Sequence, residues 1–92
     1  MTGGPGDGEP IAVRVKLFAI LRDRAGYSEK TLDLPAGATV ALALERLGAE
    51  TPALSTLLSQ AGVAINQEYV GRSASLHDGD ELALIPPVSG GL

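Results

Sequence analysis

Glu81-Leu82-Ala83-Leu84-Ile85-Pro86-Pro87 decides how this chain folds. A short strand runs straight into a proline pair. Proline fixes φ and lacks the amide that a central strand must donate, so the strand stops at Ile85. Before it, Ser73 to Asp80 is a polar loop with a turn at Asp78-Gly79-Asp80. The architecture then depends on where this last strand lies relative to the first.

The first strand is expected over Ile11 to Leu21. Ile11, Val13, Val15 and Leu17 alternate with Ala12, Arg14 and Lys16. The same alternation sets Phe18 on the Arg14/Lys16 face, the wetter side. An aromatic there is either covered by another element or touches a partner. Asp23 to Ser28 reads as a turn containing Gly26, and Glu29 to Leu34 as a second strand pairing with the first as a hairpin. After the Pro35-Ala36-Gly37 break, Thr39 is a good N-cap for a helix from Val40 to Leu47. Val40, Ala43, Leu44 and Leu47 form its apolar stripe, and Gly48 can close it. Thr51-Pro52 reads as a second cap followed by proline at the first helical position. A short helix then carries Leu54, Leu57 and Leu58 to Gly62. Val63 to Val70 is a strand interrupted by Asn66-Gln67.

One main helix across a small mixed sheet is the economical two-layer solution. If the first and last strands are parallel neighbours, the α+β fold is a ubiquitin-like β-grasp with four to five strands. The domain is expected over 11–85, between an N-terminal arm at 1–10 that is too rich in Gly, Pro and acids to bury apolar surface and a flexible tail at 86–92. The tail Pro86-Pro87-Val88-Ser89-Gly90-Gly91-Leu92 cannot pack a core. Glycine fits where other backbones clash, so the tail suits a thin arm threading into a partner's active site. From Pro86 to Gly91 it reaches roughly 20 Å if extended.

Composition narrows the function. The 92 residues carry a formal net charge of -4 and no cysteine. Thiolate catalysis, disulfides and cysteine-ligated metal are therefore excluded, and a single histidine, His77, excludes a multi-histidine site. Seven Lys and Arg without a basic block argue against nucleic acid, as do the three aromatics, Phe18, Tyr27 and Tyr69. An acidic domain is steered towards a basic protein surface. No apolar run is long enough for a bilayer and no signal peptide is visible, so a cytoplasmic protein away from membranes is expected.

The block Asp78-Gly79-Asp80-Glu81 through Pro86-Pro87-Val88-Ser89-Gly90-Gly91 resembles the small, sulfur-carrying subunit family of molybdopterin synthase. Val13-Arg14-Val15-Lys16-Leu17-Phe18-Ala19 resembles that family's first strand, and Ala64-Ile65-Asn66-Gln67-Glu68-Tyr69-Val70 its third. The resemblance implies a non-catalytic carrier working with a large catalytic subunit. A ubiquitin-activating-like adenylyltransferase would use ATP to adenylate the terminal glycine carboxylate, and a sulfur donor protein would convert the adenylate to a thiocarboxylate. The tail would then give its sulfur to a pterin precursor during molybdenum cofactor synthesis. No tightly bound cofactor is expected. A carboxylate is a poor acyl donor until AMP makes its oxygen a good leaving group, and a thiocarboxylate holds sulfur without any cysteine.

In that family the second glycine is last, whereas here Gly91 is followed by Leu92. Three readings stand: a protease removes Leu92 to free the carboxylate, Leu92 is an appended residue, or the tail carries no sulfur. The working group is thus expected at Gly91, with Gly90 beside it. Phe18, Ile85, Pro86, Pro87, Val88 and Ser89 form the expected partner contact. Alternative functions are a ubiquitin-like protein modifier, a carrier for another thiolated product (thiamine, thio-tRNA or cysteine), and an interaction module with an inert tail. Asp78 and Asp80 are expected to shape their turn rather than bind a cation, His77 to be solvated, and Arg22, Arg24 and Arg72 to be surface charge.

Overall fold

The computed structural model describes residues 9–86. The first eight residues of the expected N-terminal arm, and the tail from Pro87 onward, lie outside the described residues. Five strands form one mixed sheet: β1 Ile11–Leu17, β2 Glu29–Leu34, β3 Gly62–Ile65, β4 Glu68–Val70 and β5 Glu81–Ile85. Their order is β2-β1-β5-β3-β4. β1 pairs with β5 in parallel and with β2 antiparallel. The parallel pairing places β5 at the centre, and the β-grasp expectation holds.

One face of the sheet supplies the core. Val13, Val15 and Leu17 of β1, Leu32 and Leu34 of β2, Val63 of β3, and Leu82 and Leu84 of β5 are all buried. The main helix α2, Val40–Glu50, covers them with Val40, Ala43, Leu44 and Leu47. Its first amides are satisfied in three ways. Val40 and Ala41 donate to the Ala74 and Arg72 carbonyls, and Leu42 donates to the Thr39 hydroxyl.

The first strand is shorter than its apolar run suggests. β1 ends at Leu17, and a helix, α1 Ala19–Ala25, follows. Phe18-Ala19-Ile20-Leu21 is apolar throughout, so alternation alone cannot assign it. Helical spacing decides instead, since Leu21 is buried and Ala25, four residues on, packs against the core. Ala19 takes a left-handed φ of 51° to make the corner. Gly26 closes α1 at φ 86°, its amide returning to the Arg22 carbonyl. The β1–β2 pair is antiparallel as expected, but a helix and not a tight turn joins it.

Three further boundaries move. α2 continues past Gly48 to Glu50 and ends where the Thr51 amide meets the Leu47 carbonyl. Proline begins a 3-10 turn, Pro52–Leu54, which leads into α3, Ser55–Leu58. Thr51 makes no side-chain cap there; its hydroxyl pairs with the Tyr27 hydroxyl at 2.7 Å. The Val63–Val70 stretch is a hairpin of two strands, with Asn66 and Gln67 at positive φ of 50° and 74°. That pair of angles is the two-residue turn whose twist matches flanking strands.

Among the described residues no helix is long and apolar enough to cross a membrane.

Candidate functional site

The site is built where β5 ends. On one side β5 pairs with β1 up to Leu17↔Leu84. On the other it pairs with β3, where Gly62 faces Ile85. Phe18 and Ile85 are each one residue beyond the Leu17–Leu84 pair. Phe18 retains extended angles, φ -126° and ψ 153°. It therefore keeps to the Lys16 face of the sheet, opposite the helices. It is 45% exposed, whereas its neighbours Leu17 and Leu21 are buried. Ile85 and Pro86 are half-buried.

Register extends this patch across the open face. Lys16 faces Ala83, Ala83 faces Ala64, and Ala64 faces Tyr69. Tyr69 is 74% exposed and Ile20, at the β1–α1 corner, 42%. The open face thus has an apolar half around Phe18, Ile85 and Tyr69. Its other half is charged. Arg14 approaches Glu29 at 3.9 Å and Glu81 at 3.8 Å, and Lys16 approaches Glu81 at 3.6 Å. Phe18 and Tyr69 are the exposed large apolar side chains of this face among the described residues.

Of the expected site residues, Phe18, Ile85 and Pro86 come together at this corner. Pro87, Val88, Ser89, Gly90 and Gly91 lie outside the described residues. Tyr69 joins the open face without having been singled out, and Ile20 is exposed on α1. The signal for Tyr69 was the two-residue turn, which fixes its position opposite Ala64. Nothing in the sequence marks Ile20 before the corner at Ala19 is known.

The opposite end of the sheet is a structural clasp. Asp78 accepts from the Ala12 amide at 2.8 Å. Asp80 accepts from the His77 amide at 2.8 Å and from the Asn66 side chain at 3.0 Å. The Asn66 side-chain Oδ1 in turn accepts from the Glu81 amide at 3.0 Å. Both carboxylates therefore shape their loop, as expected, and the His77 side chain is exposed. Among the described residues no cluster of three or more His, Asp or Glu could hold a metal. Arg22 pairs with Asp23 at 3.5 Å. Arg72 is exposed, and its guanidinium also donates to the Leu58 and Ala61 carbonyls, tying the β4 exit to the end of α3.

The described side chains thus leave Phe18 and Tyr69 exposed on the open face, with the end of β5 at the centre of the sheet. The pattern of the ThiS family matches residues 15–91. A molybdopterin synthase sulfur carrier subunit of Arabidopsis thaliana is 39% identical over 85 residues, covering 92% of this chain and 88% of that protein. One from Chlamydomonas reinhardtii is 42% identical over 83 residues, covering 88% of this chain and all of that one. The crystal structure of Haloferax volcanii small archaeal modifier protein 1 superposes with a TM-score of 0.79 at 34% identity, over 85% of this chain and 99% of that one.

Proposed function

This chain belongs to the ThiS family, and on that premise we propose that it is a sulfur carrier, the small subunit of a molybdopterin synthase. The observation that carries the reading is the family match through residue 91, on a chain whose tail leaves from the central strand β5. Relatives named as sulfur carrier subunits of that synthase support it. In this reading the Gly91 carboxylate is adenylated by an ATP-using activating enzyme and then thiocarboxylated by a sulfur donor protein. The sulfur passes to a pterin precursor in the large subunit. Gly90 keeps the tail thin, and Pro86, Pro87, Val88 and Ser89 line its passage. Phe18, Ile85 and Tyr69 dock the carrier. A protease frees Gly91 by cleaving the Gly91–Leu92 bond, and the cytoplasm is the compartment of the reaction.

The test is intact mass after incubation of the chain ending at Gly91 with the activating enzyme, ATP and a sulfur source. Exchange of one oxygen for sulfur at the terminus is expected. Failure of that species to form overturns the reading. A bulky side chain at Gly91 is expected to abolish sulfur transfer by clash in the channel.

The modifier protein of Haloferax, 39% identical over 84 residues, favours a second reading on the same activated tail. There the acyl group passes to a lysine of a target protein. Isopeptide-linked conjugates in a cell extract distinguish it from the first.

A further inference from the structure

β2 is one edge of the sheet and is six residues long, whereas β4 at the other edge has three. The Leu17 amide donates to the Ser28 carbonyl, and that pair continues the β1–β2 register. Bonded pairs alternate along an antiparallel ladder, so Lys30, Leu32 and Leu34 bond to β1, while Glu29, Thr31 and Asp33 turn their amides and carbonyls outward. Arg46 agrees with that direction, since its guanidinium reaches the Asp33 carbonyl from α2 at 3.2 Å. Among the described residues no other hydrogen bond meets the outward groups of these three residues. Their side chains are exposed and stand on the open face, in register with Lys16, Arg14 and Ala12. Glu29 is approached by Arg14 at 3.9 Å, and Asp33 forms no ion pair among the described residues. Lys30 does not offset these acids, because it points to the helix side and meets Glu50 at 2.7 Å.

We propose that β2 is a strand-addition site for a partner protein: an extended segment joins it antiparallel, with lysine or arginine opposite Glu29 and Asp33, four residues apart. Backbone pairing at Glu29 and Thr31 holds the segment, and the two acids select its charge. A second copy of this chain fits poorly. Two copies paired through β2 about Thr31 set Glu29 against Asp33 twice, and like charges directly opposite are destabilising. The edge is thus guarded against itself while open to a cationic strand. β1 separates this edge from β5, so the site is distinct from the one at the end of β5.

The experiment titrates the full isotope-labelled chain with the peptide acetyl-Thr-Lys-Val-Thr-Val-Lys-Thr-amide and follows it by NMR. Saturable shifts are expected along β2. Exchange of the Glu29 and Thr31 amides should slow, with no change at Lys30 and Leu32, which already bond to β1. N-methylation of the peptide's central threonine, which faces Thr31, is expected to weaken binding about tenfold or more. N-methylation of the valine before it, whose amide points away from β2, should leave affinity within about twofold. Replacing both peptide lysines by glutamate is expected to weaken binding about tenfold. Asp33→Lys is expected to erase that preference at an unchanged Tm, since the carboxylate it replaces is exposed and unpaired. Absence of saturable shifts overturns the proposal. So do shifts that ignore N-methylation, which show charge attraction alone, and shifts centred on the open face around Glu81. Protection of the Glu29 and Thr31 amides in the concentrated, peptide-free chain also overturns it, because a second copy then occupies the edge.

Discussion

The Lys30 ammonium lies 2.7 Å from the Glu50 carboxylate, joining β2 to the last residue of α2. Beside it the Tyr27 and Thr51 hydroxyls pair. The two contacts stitch the α1–β2 connection to the end of the main helix. The hydrogen bond and charge of Glu50 raise the Lys30 pKa above its ordinary 10.5. A folded-state pKa above the unfolded one stabilises the fold below the unfolded value, and that contribution is lost as pH rises through the folded pKa. Lys30→Met is therefore expected to melt below the native chain at neutral pH. The gap closes in strongly alkaline buffer, well above pH 10.5. Thermal melts across pH 7 to 11.5 check this, and a gap independent of pH contradicts it.

Gly48 lies inside α2, not at its end. A Cβ there would meet Leu58 Cδ1 at 3.6 Å and Ser55 Cβ at 3.9 Å, ordinary contact distances. Glycine in a helix interior costs about 0.5–1 kcal/mol relative to alanine. Gly48→Ala is expected to stabilise the fold by about that much, raising Tm by roughly 4–8 °C per kcal/mol. A fall in Tm shows that the α2–α3 contact has no room.

Much of this fold was legible because its pattern is strict. Val13, Val15 and Leu17 alternate cleanly, the α2 stripe recurs at helical spacing, and the proline pair ends β5 without ambiguity. The parallel β1–β5 pairing, which fixes the topology, stayed a condition at the level of element order, because strand alternation does not say which strands are neighbours. Legibility fails where one local pattern fits two structures. Phe18 to Leu21 is apolar at every position, and only the burial of Leu21 against the core makes it a helix start. Gly48 looks like a stop signal, yet tertiary packing on Leu58 carries the helix through it. At the site, Phe18 and Ile85 were readable from register. Tyr69 needed the turn at Asn66-Gln67.

Phe18 and Leu17 are adjacent but face opposite layers. Phe18→Ala is expected to weaken association with the large subunit by about 10- to 100-fold, the range of a substantial interface contact. Its Tm should change little, since the ring is 45% exposed. Leu17→Ala is expected to destabilise the domain by about 2–5 kcal/mol, the usual range for truncating a buried leucine. Calorimetric titration and thermal melts on both variants separate the roles. Equal Tm losses contradict the docking assignment.

Asp80 holds two loops at once, through the His77 amide and the Asn66 side chain. Asp80→Ala removes two hydrogen bonds from exposed donors that water can replace, at a cost of about 0.5–1.5 kcal/mol. Denaturant melts measure it. Amide exchange at His77 and Glu81 should quicken more than at Val15 in β1. Uniform acceleration across the sheet contradicts a local clasp.

Ala19 turns the chain from β1 into α1 at φ 51°, where a Cβ crowds the following carbonyl. The left-handed region costs an L-residue about 1–2 kcal/mol, and glycine escapes that cost. Glycine also gives the unfolded chain more freedom, which subtracts about 0.4–1 kcal/mol. Ala19→Gly is therefore expected to gain up to about 1.6 kcal/mol at equilibrium. Ala19→Val should lose more than that, because β-branching fits this region poorly. The corner holds Phe18 outward while Leu21 turns in, so the valine variant should also lose affinity for the large subunit. Melts together with titrations decide the matter. A glycine variant less stable than the native chain shows that the corner does not store strain.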